Sequence, residues 1–219
     1  MKATALRLNK AHYPVTTLGH GRRIGLWLQG CSIRCKGCVS MDTWDTAGGG
    51  EVDIAVLLAW CEEKAREGGM DGITLSGGEP FDQPRALDAL LDALLHWREC
   101  SGRVFDLLCY SGYPLGTLAA RHAALLAKLD AIIPEPYADR LAEGGLWRGS
   151  ANQPLVPLTA LGQQRYAGQA EAAAEKRMQV AVEGGKIWMI GIPRREDMAR
   201  LEALCAARGL HLDQVSWRR

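Results

Sequence analysis

The stretch Ile24-Gly-Leu-Trp-Leu-Gln-Gly-Cys-Ser-Ile-Arg-Cys-Lys-Gly-Cys38 joins an apolar run to three closely spaced cysteines. Its first six residues, 24–29, are typical of a buried β-strand, and a loop rich in Gly and Cys follows from Gly30 to Gly50. In sheets of parallel strands, functional residues gather where the strands end. This stretch therefore predicts the start of an α/β fold and the place of its functional site.

Strands and helices alternate along the rest of the chain. Apolar residues recur at helical spacing in four segments, 53–66, 84–97, 114–128 and 194–207. Further strands are predicted at 72–76, 103–109 and 130–134, a hairpin at 178–183 and 186–191, and an irregular segment at 135–170. This alternation predicts a parallel sheet with outer helices, and we expect a single domain over 1–219.

The composition narrows the classes of function. The chain has 219 residues, 47% of them apolar and 23% charged, with a net charge of +1. This balance shows no excess of positive charge of the kind that binds nucleic acid or an anionic membrane. No window approaches the roughly 20 apolar residues of a membrane helix, and the N-terminal stretch is not that of a secretion signal. We therefore expect a cytoplasmic protein with reduced thiols and with neither nucleic acid nor membrane as partner.

Three of the seven cysteines are packed into eight residues. Cys31, Cys35 and Cys38 have the spacing Cys-x3-Cys-x2-Cys. A structural zinc site usually has four ligands. Cys61 is predicted on the core face of a helix and His20 lies before the strand, so neither is an obvious fourth ligand. Three thiolates on one short loop suit an iron–sulfur cubane with one iron left open. The loop predicts a [4Fe–4S] cluster, with zinc or no metal as the alternatives.

A second motif, Ser76-Gly-Gly-Glu-Pro80, follows the next predicted strand. Two consecutive glycines let the backbone approach a ligand without a Cβ atom in the way. Considered alone, the segment is a weak signal, because an ordinary strand-to-helix turn with a solvated Glu79 is the alternative. Its place after the next strand, beside the cysteine loop, strengthens the prediction of a cofactor contact. Ser111 follows the third strand at the same edge, where it either touches a cofactor or belongs to a plain loop.

Together the two motifs resemble those of the radical S-adenosylmethionine superfamily. The resemblance is best over residues 18–113. The cysteine loop, the following Asp42-Thr-Trp44 and the segment Thr74-Leu-Ser-Gly-Gly-Glu-Pro80 are similar to the short, single-cluster proteins grouped with the activating enzyme of anaerobic ribonucleotide reductase. The fold implied is a partial (β/α)6 barrel, because the chain is too short for the full eight-fold barrel of about 250 residues.

The resemblance also implies a mechanism. Cys31, Cys35 and Cys38 would hold three irons, and the fourth iron would bind the amino and carboxylate groups of S-adenosylmethionine. The residues expected to contact that cofactor are Ser76, Gly77, Gly78, Glu79 and Ser111. A reduced flavodoxin or ferredoxin would supply one electron, the C5′–S bond would break, and the 5′-deoxyadenosyl radical would abstract hydrogen from a substrate.

One stretch departs from the activase pattern. Glycyl-radical activases usually carry Asp-Gly-Pro-Gly-x-Arg before the first cysteine, and this chain has Leu18-Gly-His-Gly-Arg-Arg23. Three functions stay open. Activation of a glycyl-radical partner protein is favoured by the small size and by Asp42-Thr-Trp44. Radical modification of a small molecule or peptide is allowed by the altered stretch. A non-catalytic Fe–S module of a larger complex is disfavoured by the Gly-Gly-Glu-Pro turn.

Overall fold

The computed structural model describes residues 5–141, 144–168, 177–183 and 186–218. The strands are β1 (Ala5–Val15), β2 (Arg23–Leu28), β3 (Gly50–Asp53), β4 (Gly72–Gly77), β5 (Asp106–Tyr110), β6 (Ala131–Ile133), β7 (Val156–Pro157), β8 (Met178–Glu183) and β9 (Lys186–Gly191). The α-helices are α1 (Ile54–Gly68), α2 (Pro84–Ser101), α3 (Leu115–Arg121), α4 (Ala123–Leu126), α5 (Ala160–Tyr166) and α6 (Asp197–Ala206).

Seven of the strands form one mixed sheet in the order β3-β1-β2-β4-β5-β6-β7, and β8 pairs with β9 in a second sheet. β2, β4, β5 and β6 run parallel, whereas β1, β3 and β7 add antiparallel edges. All six residues of β2 are buried, as expected of a parallel strand covered on both faces. The prediction of an α/β fold with parallel strands and outer helices is confirmed.

Helix α2 illustrates how the sequence pattern covers the sheet. Leu87, Leu90, Leu91 and Leu94 are fully buried at the i, i+3, i+4 and i+7 positions of one helix face. The helix ends at Gly102, whose φ of 64° is a left-handed conformation that glycine adopts without strain. No helix in the described parts of the chain is long and apolar enough to cross a membrane.

The N-terminal strand differs from the sequence analysis, which placed the first strand at 24–29. β1 precedes it and pairs antiparallel with β2. The strand escapes prediction because the polar residues Asn9, Lys10 and His12 interrupt its apolar alternation and most of its residues are only partly buried.

The C-terminal third differs in part. The predicted helix over 114–128 is divided at His122 into α3 and α4, and the segment 135–170 contains β7 and α5 in addition to turns. The predicted hairpin is confirmed with its predicted bounds, although Gly184 and Gly185 in its connection lie outside the described residues.

Candidate functional site

The loops that follow β2 and β4 are hydrogen-bonded to each other at one edge of the sheet. The Gly78 N–H donates to the Leu28 carbonyl at 2.8 Å, and the Glu79 N–H donates to the Gly30 carbonyl at 2.8 Å. The cysteine loop is closed at its base, where the Cys31 N–H donates to the Trp44 carbonyl at 3.2 Å. The parallel strands therefore bring both sequence motifs to one place, as their order along the chain predicts.

The three thiols are free and half-buried. Burial raises the pKa of Cys31, Cys35 and Cys38 above the usual thiol value. The negative charge of Cys31 further raises the pKa of Cys35, and those of Cys35 and Cys31 raise that of Cys38. Mutual repulsion of the thiolates therefore adds to the effect of burial on Cys35 and Cys38. Bound metal would remove this penalty, because a coordinated thiol is deprotonated.

Hydrogen-bond donors face each sulfur. Backbone N–H groups of Ile33 and Arg34 lower the pKa of Cys31, and that of Tyr137 lowers the pKa of Cys35, each against the larger effect of burial. The Cys38 sulfur accepts from the Ser40 N–H at 3.4 Å and from the side chain of Trp44. N–H donors of this kind orient metal ligands and tune iron–sulfur clusters. By the chemistry of its donors, the loop fits a [4Fe–4S] cluster.

Within residues 5–141, 144–168, 177–183 and 186–218, no three His, Cys, Asp or Glu side chains are placed to share a single metal ion. This differs from a cubane, in which each cysteine binds a different iron.

Gly77 and Gly78 are required by the packing of the two loops. Gly77 has a φ of 104°, and a Cβ atom there would lie 2.5 Å from the Leu28 nitrogen. A Cβ atom on Gly78 would collide with the Gly30 carbonyl. The glycines therefore allow the second loop to dock on the cysteine loop. Ser76 lies at the end of β4, paired in register with Trp27.

The Glu79 carboxylate links the loops after β4 and β5. Its Oε1 atom accepts from the Phe81 N–H at 3.0 Å and the Ser111 hydroxyl at 2.9 Å, and its Oε2 atom accepts from the Gly112 N–H at 2.7 Å. The side chain is 1% exposed. Burial raises the pKa of Glu79 to about 7, although these three hydrogen bonds oppose the rise and the charge of Asp82 adds to it. A cofactor contact for Glu79 or Ser111 stays a prediction.

A second link, through Asp82, was missed by the sequence analysis. The Asp82 carboxylate accepts from the Ser32 N–H at 2.7 Å, the Ser32 hydroxyl at 3.0 Å and the Tyr113 hydroxyl at 2.8 Å. It thus joins the residue after Cys31 to the loops after β4 and β5. The only local indication was that Asp82, a short acidic residue, follows shortly after Gly-Gly-Glu-Pro. Nothing in the sequence predicts its contact with Ser32.

The stretch that departs from the activase pattern lies at the opposite edge of the sheet, where β2 begins. Arg23 is fully buried and pairs with Asp106 at 2.7 Å. The Leu18 carbonyl accepts from the Thr74 hydroxyl at 2.7 Å, and the His20 carbonyl accepts from Arg23 at 3.0 Å. Leu18 and His20 therefore contribute carbonyl groups where β2 begins, and the Leu18 side chain is buried with Val15, Trp27 and Ile190.

Comparison with known proteins gives a consistent set of matches. The family model described as "4Fe-4S single cluster domain" matches residues 17–156. The anaerobic ribonucleoside-triphosphate reductase-activating protein of Vibrio cholerae is 32% identical over 155 residues, which cover 68% of this chain and 96% of that protein. The protein of the same name from Haemophilus influenzae is 32% identical over 146 residues, covering 65% and 92%. The Escherichia coli K12 protein is 29% identical over 148 residues, covering 65% and 93%.

Among solved structures, QueE from Escherichia coli matches with a TM-score of 0.39 and 20% identity over 49% of this chain and 53% of that chain.

Proposed function

We infer the function of this chain from its family: it belongs to the 4Fe–4S single-cluster domain family and to the family of the anaerobic ribonucleoside-triphosphate reductase-activating proteins. The resemblance found in the cysteine loop and the Gly-Gly-Glu-Pro turn is thereby confirmed. The chain is a radical S-adenosylmethionine enzyme with a [4Fe–4S] cluster.

We propose that Cys31, Cys35 and Cys38 hold this cluster and that the turn Ser76–Glu79 with Ser111 lines the S-adenosylmethionine site. When bound, the cluster supplies an electron that cleaves S-adenosylmethionine to a 5′-deoxyadenosyl radical. Backbone carbonyls of Gly77 and Gly78 are suited to accept from the methionine ammonium group. The Glu79 carboxylate would hold the loops after β4 and β5 together, its backbone N–H would hold them to the cysteine loop, and the buried link would limit the entry of water.

The observation that carries the proposal is the direct bonding of the two motifs. Gly78 and Glu79 donate to the carbonyls of Leu28 and Gly30, immediately before Cys31. A cofactor held by the glycine turn would therefore lie next to a cluster held by the cysteines.

The partner that best fits is an anaerobic ribonucleoside-triphosphate reductase, the protein that the relatives are named for activating. We propose that the radical abstracts hydrogen from a glycine of that partner. Leu18 and His20 do not count against this, because they lie at the opposite sheet edge and contribute carbonyl groups there. A reduced flavodoxin or ferredoxin is the proposed electron donor, in the reducing cytoplasm, and the chain would act as a single domain.

The test is anaerobic reconstitution with iron and sulfide, followed by dithionite and S-adenosylmethionine, with mass spectrometry of the products. Wild type is expected to yield 5′-deoxyadenosine, and Cys35→Ala none. Adding the reductase should then produce a glycyl radical visible by electron paramagnetic resonance. If 5′-deoxyadenosine forms but the reductase gains no such signal, activation of the reductase is wrong and a small molecule or peptide becomes the candidate substrate. If the loaded wild type neither binds nor cleaves S-adenosylmethionine, the enzyme assignment is wrong.

A further inference from the structure

The C-terminal segment, residues 195–218, contacts the cysteine loop. The family model ends at residue 156, so this segment lies outside the part of the chain that it matches. The Met41 N–H donates to the Ser216 carbonyl at 2.7 Å, and the Ser216 hydroxyl donates to the Val39 carbonyl at 2.7 Å. A residue 178 positions beyond Cys38 is thus bonded on both sides of Ser40.

Ser40 is the residue between these two contacts, and its N–H donates to the Cys38 sulfur at 3.4 Å. The carbonyl of Ser40 is held separately, by the Thr43 hydroxyl at 2.6 Å. The peptide group that faces the sulfur, from the Val39 carbonyl to the Ser40 N–H, is held at its carbonyl by the Ser216 hydroxyl. The next peptide group is held by the Thr43 hydroxyl and by the Ser216 carbonyl.

Helix α6 anchors the tail that carries Ser216. The Glu202 carboxylate of α6 accepts from the Trp217 indole N–H at 2.5 Å and pairs with Arg218 at 3.3 Å. Just before the same helix, Arg195 pairs with Asp139 at 3.3 Å, and Asp139 lies beside Gly37 in the cysteine loop. The segment therefore contacts the loop directly after Cys38, and it reaches the residue before Cys38 only through Asp139.

We propose that Ser216 is a positioning residue for the Cys38 ligand, holding the Ser40 peptide so that its N–H stays directed at the Cys38 sulfur. This inference rests on the proposed cluster site. An N–H dipole aimed at a cluster sulfur stabilises the more negative, reduced cluster, so the clamp raises the reduction potential. It also slows iron loss, because the ligand is held in place.

The test compares reconstituted wild type with Ser216→Ala, which removes the hydroxyl bond, and with Ser216→Thr, which retains a hydroxyl. Glu202→Ala releases the Trp217 anchor. Glu196→Ala, at the residue before α6, is the matched control, since it removes an exposed ion pair with Arg200 that does not involve the tail. The readouts are the cluster midpoint potential, iron loss to a chelator, and exchange of the Ser40 amide in the apo chain.

Ser216→Ala and Glu202→Ala should lower the midpoint potential. The rates of iron loss and of Ser40 amide exchange should each rise about fivefold, as expected for the loss of one hydrogen bond. Ser216→Thr and Glu196→Ala should match wild type. An unchanged potential and an unchanged Ser40 exchange rate in Ser216→Ala would overturn the inference. If the wild type binds no cluster, the proposed function fails, while amide exchange in the apo chain still decides whether the clamp exists.

Discussion

The two ends of the parallel strands carry polar groups of opposite character. Where β2 and β5 begin, Arg23 and Asp106 are fully buried and paired, and the Tyr166 hydroxyl adds a bond of 2.7 Å to Asp106. Where β2 ends, the thiols Cys31, Cys35 and Cys38 are half-buried and repel one another when charged. At the first end the charges are paired within the protein. At the second end the thiols would be stabilised as thiolates by a bound metal. The sheet therefore separates the groups that stabilise the fold from the thiols that we propose as cluster ligands.

The largest expected effect is a change at the cysteine end that removes the cluster and spares the fold. Cys35→Ala should abolish iron–sulfur absorbance after reconstitution, because a cubane needs all three thiolates. Its free energy of unfolding without iron should change by less than about 1 kcal/mol, since the side chain is half-exposed. Cys100→Ala, on the exposed face of α2, is the control and should bind iron normally. Full iron content in Cys35→Ala would refute the ligand assignment.

The next largest effect is expected at the opposite end. Asp106→Ala leaves the Arg23 guanidinium buried without its main partner, which should lower the free energy of unfolding by about 3–5 kcal/mol in urea titrations. The surface control Arg200→Ala should cost less than about 1 kcal/mol. If Asp106→Ala and Arg200→Ala unfold alike, the buried pair does not stabilise the fold.

The third largest effect is a pH dependence of the stability, caused by Glu79 at the end of the strands where the cysteines lie. Its pKa is about 7 in the folded chain against an ordinary value of 4.5, so the folded chain binds this proton more tightly. The contribution of Glu79 to the free energy of unfolding is therefore most favourable below pH 4.5. It is lost as the pH rises through 7, by about 3 kcal/mol in all.

Urea titrations of the apo chain from pH 4.5 to 8 measure this loss. Glu79→Gln stays neutral, so the difference in stability between it and wild type should change with pH in that direction. A pH-independent difference would show that Glu79 titrates normally in the folded chain.

The smallest effect is expected at the link between the loops. Tyr113→Phe removes the hydroxyl bond to Asp82 and should cost about 1 kcal/mol. Amide hydrogen exchange should increase at Ser32, whose N–H donates to the same carboxylate. The amide of Leu107 in β5, which donates to the Asp130 carboxylate, serves as an internal control. Equal increases at both amides would indicate general destabilisation in place of a local link.

Much of the fold was predictable because its signals are local. The buried run of β2, the leucine face of α2 and the pairing of β8 with β9 follow from short-range patterns in the chain. β1 was not predictable in this way, because its polar residues interrupt the apolar alternation. The break at His122 also has no Pro or Gly signal, and it appears only in the packed structure.

The sequence by itself determined the ligand chemistry proposed for this protein and the order of its loops. Three thiols in eight residues and a double glycine after the next strand are covalent facts, and parallel strands bring successive loops to one edge. Only the tertiary structure decided which groups surround the sulfurs and what Glu79 contacts. The donors from Tyr137 and Ser111, and the clamp from Ser216, come from segments far apart in the chain. Their approach depends on packing and burial, which no local spacing encodes.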